Sequence, residues 1–163
     1  MISDEELVRR TLSEGSHHFG VLIQRHADYL FGLGMRLTSG NKELAEDMSQ
    51  QAFMKSYTYL KSFDPQKSFK HWLTGIAVNS FKDLIAKENQ YSSLEDKNEP
   101  SYTPHLEGNK DFFTLIKPLT KEERLMFALR FIYDYKMNEI GDFLDMKTGT
   151  VKSKISRAME KLK

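Results

Sequence analysis

Apolar residues recur every three or four positions through almost the whole chain, and no stretch shows the strict alternation of a half-buried strand. The pattern predicts an all-α protein. Ser3 with Glu6 forms a capping box for a first helix. Phe19, Leu22, Ile23, Leu30, Leu33 and Leu37 stripe a second helix, which Ser39-Gly40-Asn41 breaks. Leu44, Met48, Phe53, Tyr57 and Leu60 stripe a third, with less regular spacing. Phe63-Asp64-Pro65 ends it, because the residue before proline is pushed out of helical geometry. Phe69, Trp72, Leu73, Ile76, Ala77, Leu84 and Ile85 stripe a fourth. Gly32 and Gly34 fall inside the second stripe, where close packing accounts for them.

Residues 88–109, ENQYSSLEDKNEPSYTPHLEGN, break this pattern. The segment is polar, acidic and contains two prolines. It cannot bury enough apolar surface to fold alone and reads as a flexible linker. A smaller helical domain follows, begun by Phe112, Phe113, Leu115 and Ile116 and interrupted by Pro118. Thr120 and Glu123 form another capping box, ahead of Leu125, Ala128, Leu129 and Ile132. The expected division is a helical domain over 1–87, a linker over 88–109 and a second domain over 110–163.

The most informative stretch is 137–158, MNEIGDFLDMKTGTVKSKISRA. It reads as helix, tight turn, helix. Ile140, Leu144, Val151 and Ile155 fall where two crossing helices bury apolar side chains, and Gly141 where they approach most closely. Asp145 and Met146 form the turn. The usual turn glycine is replaced by Asp145, which tolerates a left-handed backbone better than most residues. Lys152, Ser153, Lys154 and Arg157 stay outward on the second helix. Such a face fits the DNA major groove.

Net charge is only +1 over 163 residues, but its distribution is uneven. Residues 88–109 carry five acidic groups against Lys97, whereas 146–163 carry six basic groups against Glu160. Opposite signs on neighbouring segments suit different partners. The chain has no cysteine, which removes disulfides and thiolate metal sites and suits a reducing cytosol. The charged start MISDEELVRR is unlike a signal peptide, and no apolar run could span a bilayer. A cytoplasmic protein without direct membrane insertion is expected. His17, His18, His26 and Asp28 lack metal-site spacing, and no nucleophile elbow, phosphate-cradling loop or dinucleotide fingerprint is present. The expectation is a non-enzyme with no metal and no cofactor.

Four segments together resemble the extracytoplasmic-function sigma factors, the minimal two-domain type of the sigma-70 family of RNA polymerase sigma factors. They are ELAEDMSQQAFMKSY (43–57), FDPQKSFKHWLTGIAVNSFKDLI (63–85), LTKEERLMFALRF (119–131) and TGTVKSKISRAMEKL (148–162). The resemblance covers nearly the whole chain. It implies that the first domain binds polymerase core and opens the minus-ten promoter element, while the second reads the minus-thirty-five element. The implied partners are bacterial RNA polymerase core (the clamp of the largest subunit and the flap of the second), promoter DNA and an anti-sigma factor.

The site residues follow from the matching positions. Asp47, Gln50, Gln51 and Phe53 are expected to bind polymerase, with Met54 nearby; Gln51 departs from the acidic residue common in the family. Asn79, Lys82 and Lys87 are expected at the minus-ten element, since Asn can donate and accept at a base edge and Lys can meet phosphate. The loop from Lys61 to Lys70 resembles the family's specificity loop. At the minus-thirty-five element, Lys152, Ser153 and Arg157 match base-facing positions, and Arg can clamp guanine at two points. Lys154 and Thr150 suit phosphates. Trp72 reads as core; Phe69, at the loop edge, is open between core and base stacking. Two alternatives remain at this point: a stand-alone helix-turn-helix regulator that binds its operator without polymerase, and a polymerase-interacting protein that does not direct initiation.

Overall fold

The computed structural model describes residues 1–91 and 114–163, with side chains as far as residue 87 in the first stretch. The described residues are helical, with no strand. In chain order they form α1 (Asp4–Glu14), α2 (His17–Leu37), α3 (Lys42–Thr58), a 3-10 turn (Leu60–Ser62), α4 (Phe69–Tyr91), α5 (Lys121–Phe131), α6 (Met137–Leu144) and α7 (Thr148–Lys161).

Local chemistry sets the helix starts. The Ser3 hydroxyl accepts from the Glu6 amide at 3.1 Å, which satisfies one orphan donor of α1. The expected box is only half made there. The Glu6 carboxylate turns instead to Arg9 and Arg10, and their guanidinium groups hold it down to about pKa 2. At Thr120 the box is complete: the side chain accepts from the Glu123 amide, and the Glu123 carboxylate accepts from the Thr120 amide. Asn41 caps α3 through its side chain.

Packing corrects two stripes. In α3 the buried line is Ala45, Met48, Ala52 and Ser56, while Tyr57 is exposed and Phe53 half-buried. Small residues add little to an apolar periodicity. They let α3 lie close on α2, where a Cβ on Gly34 would sit 3.0 Å from the Ala45 backbone. In α2, Ile23 is exposed and His26 is buried in its place. The His26 Nε2 lies 2.8 Å from Asp4 Oδ2, and Arg25 donates to the other oxygen at 3.1 Å. The Asp4 carboxylate thus ties α1 to α2. Phe69 is fully buried against Phe63, which settles it as core, and Trp72 packs half-buried beside both.

The helix α4 runs on to Tyr91, four residues into the acidic segment. Glu88, Asn89 and Gln90 contain no breaker, so an existing helix can propagate through them. The remainder of that segment, with Phe112 and Phe113, lies outside the described residues.

The two halves pack on each other where α4 meets α6. Phe143 of α6 lies against Gly75 of α4, where an added Cβ would stand 3.2 Å from the ring. His71 and Tyr135 flank the same ring at 4.8 and 5.1 Å between centroids. Behind it, the Thr74 hydroxyl donates to the Lys70 carbonyl at 2.8 Å and is met by the Tyr29 and Tyr135 hydroxyls at 2.7 and 3.1 Å. The Arg36 guanidinium donates to the Tyr133 hydroxyl at 2.7 Å. Burial raises the Tyr29 phenol well above its ordinary range. Tyr133 is raised for the same reason, against an opposing pull from Arg36.

Candidate nucleic-acid interface

The helix-turn-helix forms as its spacing requires. Ile140, Gly141, Phe143 and Leu144 of α6 are buried, as are Val151, Ile155 and Ala158 of α7. Between them, Asp145 adopts the left-handed conformation, with φ 55° and ψ 49°. The Gly141 carbonyl accepts from the Met146 amide at 2.8 Å. A Cβ on Gly141 would lie 2.6 Å from the Met146 carbonyl oxygen, so the turn closes only over a glycine.

Anchored this way, α7 turns Thr150, Lys152, Ser153 and Arg157 to solvent. No side chain caps its N-terminus, and no acidic residue stands in its first turn. Lys154 differs from the other predicted contacts. Its ammonium pairs with Glu122 of α5 at 2.6 Å. Lys161 pairs with Glu123 at 2.7 Å. Burial pushes the Glu123 carboxyl up, but Lys161 and the Thr120 bonds pull it further down, leaving it below its ordinary value. Glu122 was not legible as a restraint on Lys154, because the two lie 32 residues apart.

On α3, Asp47, Gln50 and Met54 are exposed and Gln51 partly so, all on one face. Phe53 turns toward the core, which leaves Met54, 70% exposed, as the apolar contact of that face. On α4, Asn79, Lys82 and Lys87 are exposed. A groove between these helices is lined by Gln51, Met54, Lys55, Asp83, Ala86 and Lys87, so it joins the two predicted surfaces. The Lys55 ammonium bridges it to Asp83 at 2.8 Å. The loop between Lys61 and Lys70 is exposed except at Phe63 and Phe69, whose rings anchor it.

Two family models match the chain: sigma-70 region 2 over residues 22–91, and sigma-70 region 4 over residues 115–163. The ECF RNA polymerase sigma-E factor of Escherichia coli (strain K12) is 30% identical, across 98% of this chain and 92% of its own length. The ECF RNA polymerase sigma factor SigW of Bacillus subtilis (strain 168) is 29% identical, across 89% and 87%. Among solved structures, the sigma factor RpoE in complex with the anti-sigma factor NepR from Bartonella quintana shares the fold. Its TM-score is 0.74 at 24% identity, covering 88% of this chain and 93% of that one. Two sigma-70 regions in the family's order, with homology running nearly end to end, place this chain among the extracytoplasmic-function sigma factors of the sigma-70 family.

Proposed function

We propose that this protein is a dissociable promoter-specificity subunit: it binds bacterial RNA polymerase core, directs it to particular promoters and starts transcription there. The observation that carries the reading is the outward face of α7, with Lys152, Ser153 and Arg157 exposed while Val151, Ile155 and Ala158 lock the helix in place. The second domain, over 110–163, reads the minus-thirty-five element. Arg157 and Lys152 address base edges there, and Thr150 and Lys154 address phosphates. Because Lys154 is paired with Glu122, its phosphate contact replaces an existing ion pair.

The first domain, over 1–87, docks on the polymerase clamp through Asp47, Gln50 and Gln51, with the exposed Met54, rather than the inward-turned Phe53, supplying the apolar contact. Asn79, Lys82 and Lys87 take the minus-ten element, and the loop between Lys61 and Lys70 lies beside it. The segment 88–109 tethers the two. Two weak DNA contacts joined in this way give an affinity that neither has alone. The chain supplies selectivity, and phosphoryl transfer belongs to the polymerase. It acts in the cytoplasm; no helix among the described residues is long and apolar enough to cross a membrane. The flap of the second polymerase subunit and an anti-sigma factor complete the set of partners, on family membership rather than on any residue.

The test is run-off transcription with purified protein, core polymerase and genomic fragments. Specific initiation only when protein and core are both present supports the reading. Tight operator binding by the protein alone, as a symmetric dimer, would establish the stand-alone regulator instead.

A further inference from the structure

We infer that α1 is a positioning element for minus-ten recognition: the tie between Asp4 and His26 holds the loop from Lys61 to Lys70 in the orientation that meets the promoter. The inference rests on the reading above that this loop lies beside the minus-ten element.

The tip of the loop is a small turn. The Asp64 side chain accepts from the Gln66 amide at 3.0 Å, and the Asp64 carbonyl accepts from the Lys67 amide at 2.9 Å. Residues 64–68 are all exposed. Such a turn keeps its own shape, but where it points is set at its base. Phe63 and Phe69 form that base, 6% and 1% exposed. Their rings meet edge-on at 5.6 Å between centroids, and both lean on Trp72.

The first helix supports this base from two sides. Directly, Val8 and Leu12 face Phe63 and Pro65 across a groove of about 340 Å³, and α1 touches the 3-10 turn at Leu60–Ser62. Indirectly, α1 holds the His26 ring, which packs against Phe69 at 5.4 Å between centroids. His26 is buried, so its ring N–H needs an acceptor, and Nε2 finds one in Asp4 Oδ2 at 2.8 Å. Asp4 is the first residue of α1, and its other oxygen accepts from Arg25 at 3.1 Å.

An eleven-residue helix is marginal by itself, so the carboxylate that ties its first turn to α2 decides whether that turn stays down. Without it, two changes reach the loop. The start of α1 lifts from the groove, and His26 loses its acceptor and is free to turn away from Phe69. The loop then samples several orientations, and a reading element that is not held in register discriminates less between bases. Asp4 acts through the loop and not on DNA, since a carboxylate already engaged by His26 and Arg25 has the wrong sign for a phosphate.

The test uses the full chain with Asp4→Ala, with Asp4→Asn, whose amide oxygen can still accept from His26, and with Val8→Ala, which trims the groove and leaves the tie intact. Circular dichroism fixes a working temperature below the melting of every variant. In the free chain, trypsin should cut after Lys61 and Lys67 at least about threefold faster in Asp4→Ala and Val8→Ala than in the parent, with cleavage in α7 unchanged. With core polymerase, competition between templates that differ at one base should show the preference at the minus-ten element falling by at least about threefold in the same two variants, and the preference at the minus-thirty-five element holding. Asp4→Asn should behave as the parent in both assays.

Unchanged cleavage of the loop in both alanine variants would overturn the support of the loop by α1. Faster cleavage with an unchanged minus-ten preference would overturn its role in recognition, as would an equal loss at both elements. A parent chain that shows no preference at the minus-ten element would overturn the promoter reading instead, while the cleavage still reports on the tie.

Discussion

Replacing Gly141 by alanine should destabilise the protein, and the same replacement at Gly149, eight residues on, should stabilise it. The added methyl at Gly141 would stand 2.6 Å from the Met146 carbonyl oxygen, inside any real carbon–oxygen contact. That oxygen belongs to backbone and cannot rotate away. Its own residue is tied back, since the Met146 amide donates to the Gly141 carbonyl at 2.8 Å. Relief requires the turn to open. Overpacking of this kind costs about 3 kcal/mol at its upper end, offset by about 1 kcal/mol of better helix propensity. The net loss of about 2 kcal/mol corresponds to a fall of about 4–8 °C in melting temperature for a chain of this size. At Gly149 no heavy atom lies within 4 Å of the new methyl, so only the propensity gain remains, at most about 1 kcal/mol or about 2–4 °C upward. Helical ellipticity followed through a thermal melt reads both. A Gly141→Ala protein melting at or above the parent would refute the claim that the turn closes only over a glycine.

The other predictions concern the DNA face, the turn and the buried tyrosines. Arg157→Ala should relax promoter preference by about tenfold to a hundredfold at the base it clamps, from about 1–3 kcal/mol of lost discrimination, measured by competition between promoter variants; an unchanged preference would remove its role. Glu122→Gln should release the Lys154 ammonium, tightening binding to all sequences alike and steepening the salt dependence, whereas Lys154→Ala should do the reverse. Asp145→Gly should raise the melting temperature and Asp145→Val lower it, because the position is left-handed at φ 55°. In alkali, free phenols ionise near pH 10 while Tyr29 and Tyr133 hold their protons. The stability they lend is thus whole below about pH 10 and shrinks as pH rises further. Phenolate absorbance should show these two rings titrating last, and Tyr29→Phe should remove one late step.

The sequence by itself determined the helices, the complete capping box at Thr120, and the helix-turn-helix down to the left-handed Asp145 and the crowded Gly141. These are local: a 3.6-residue period, a cap three residues from its partner, and a turn whose backbone demands are met by the residues in it. The outward DNA face of α7 was legible for the same reason, since burying Val151 and Ile155 leaves Lys152, Ser153 and Arg157 nowhere else to point. Tertiary structure alone decided the rest. Ala45, Ala52 and Ser56 became core because Gly34 lets α2 approach; Phe53 turned inward; Lys154 met Glu122. Above all, His71, Thr74 and Gly75 became an interface with Tyr135 and Phe143. Tyrosine, histidine, threonine and glycine are at home either in water or against a complementary surface. Their placement is fixed by partners tens of residues away, and no periodicity along the chain records such a partner.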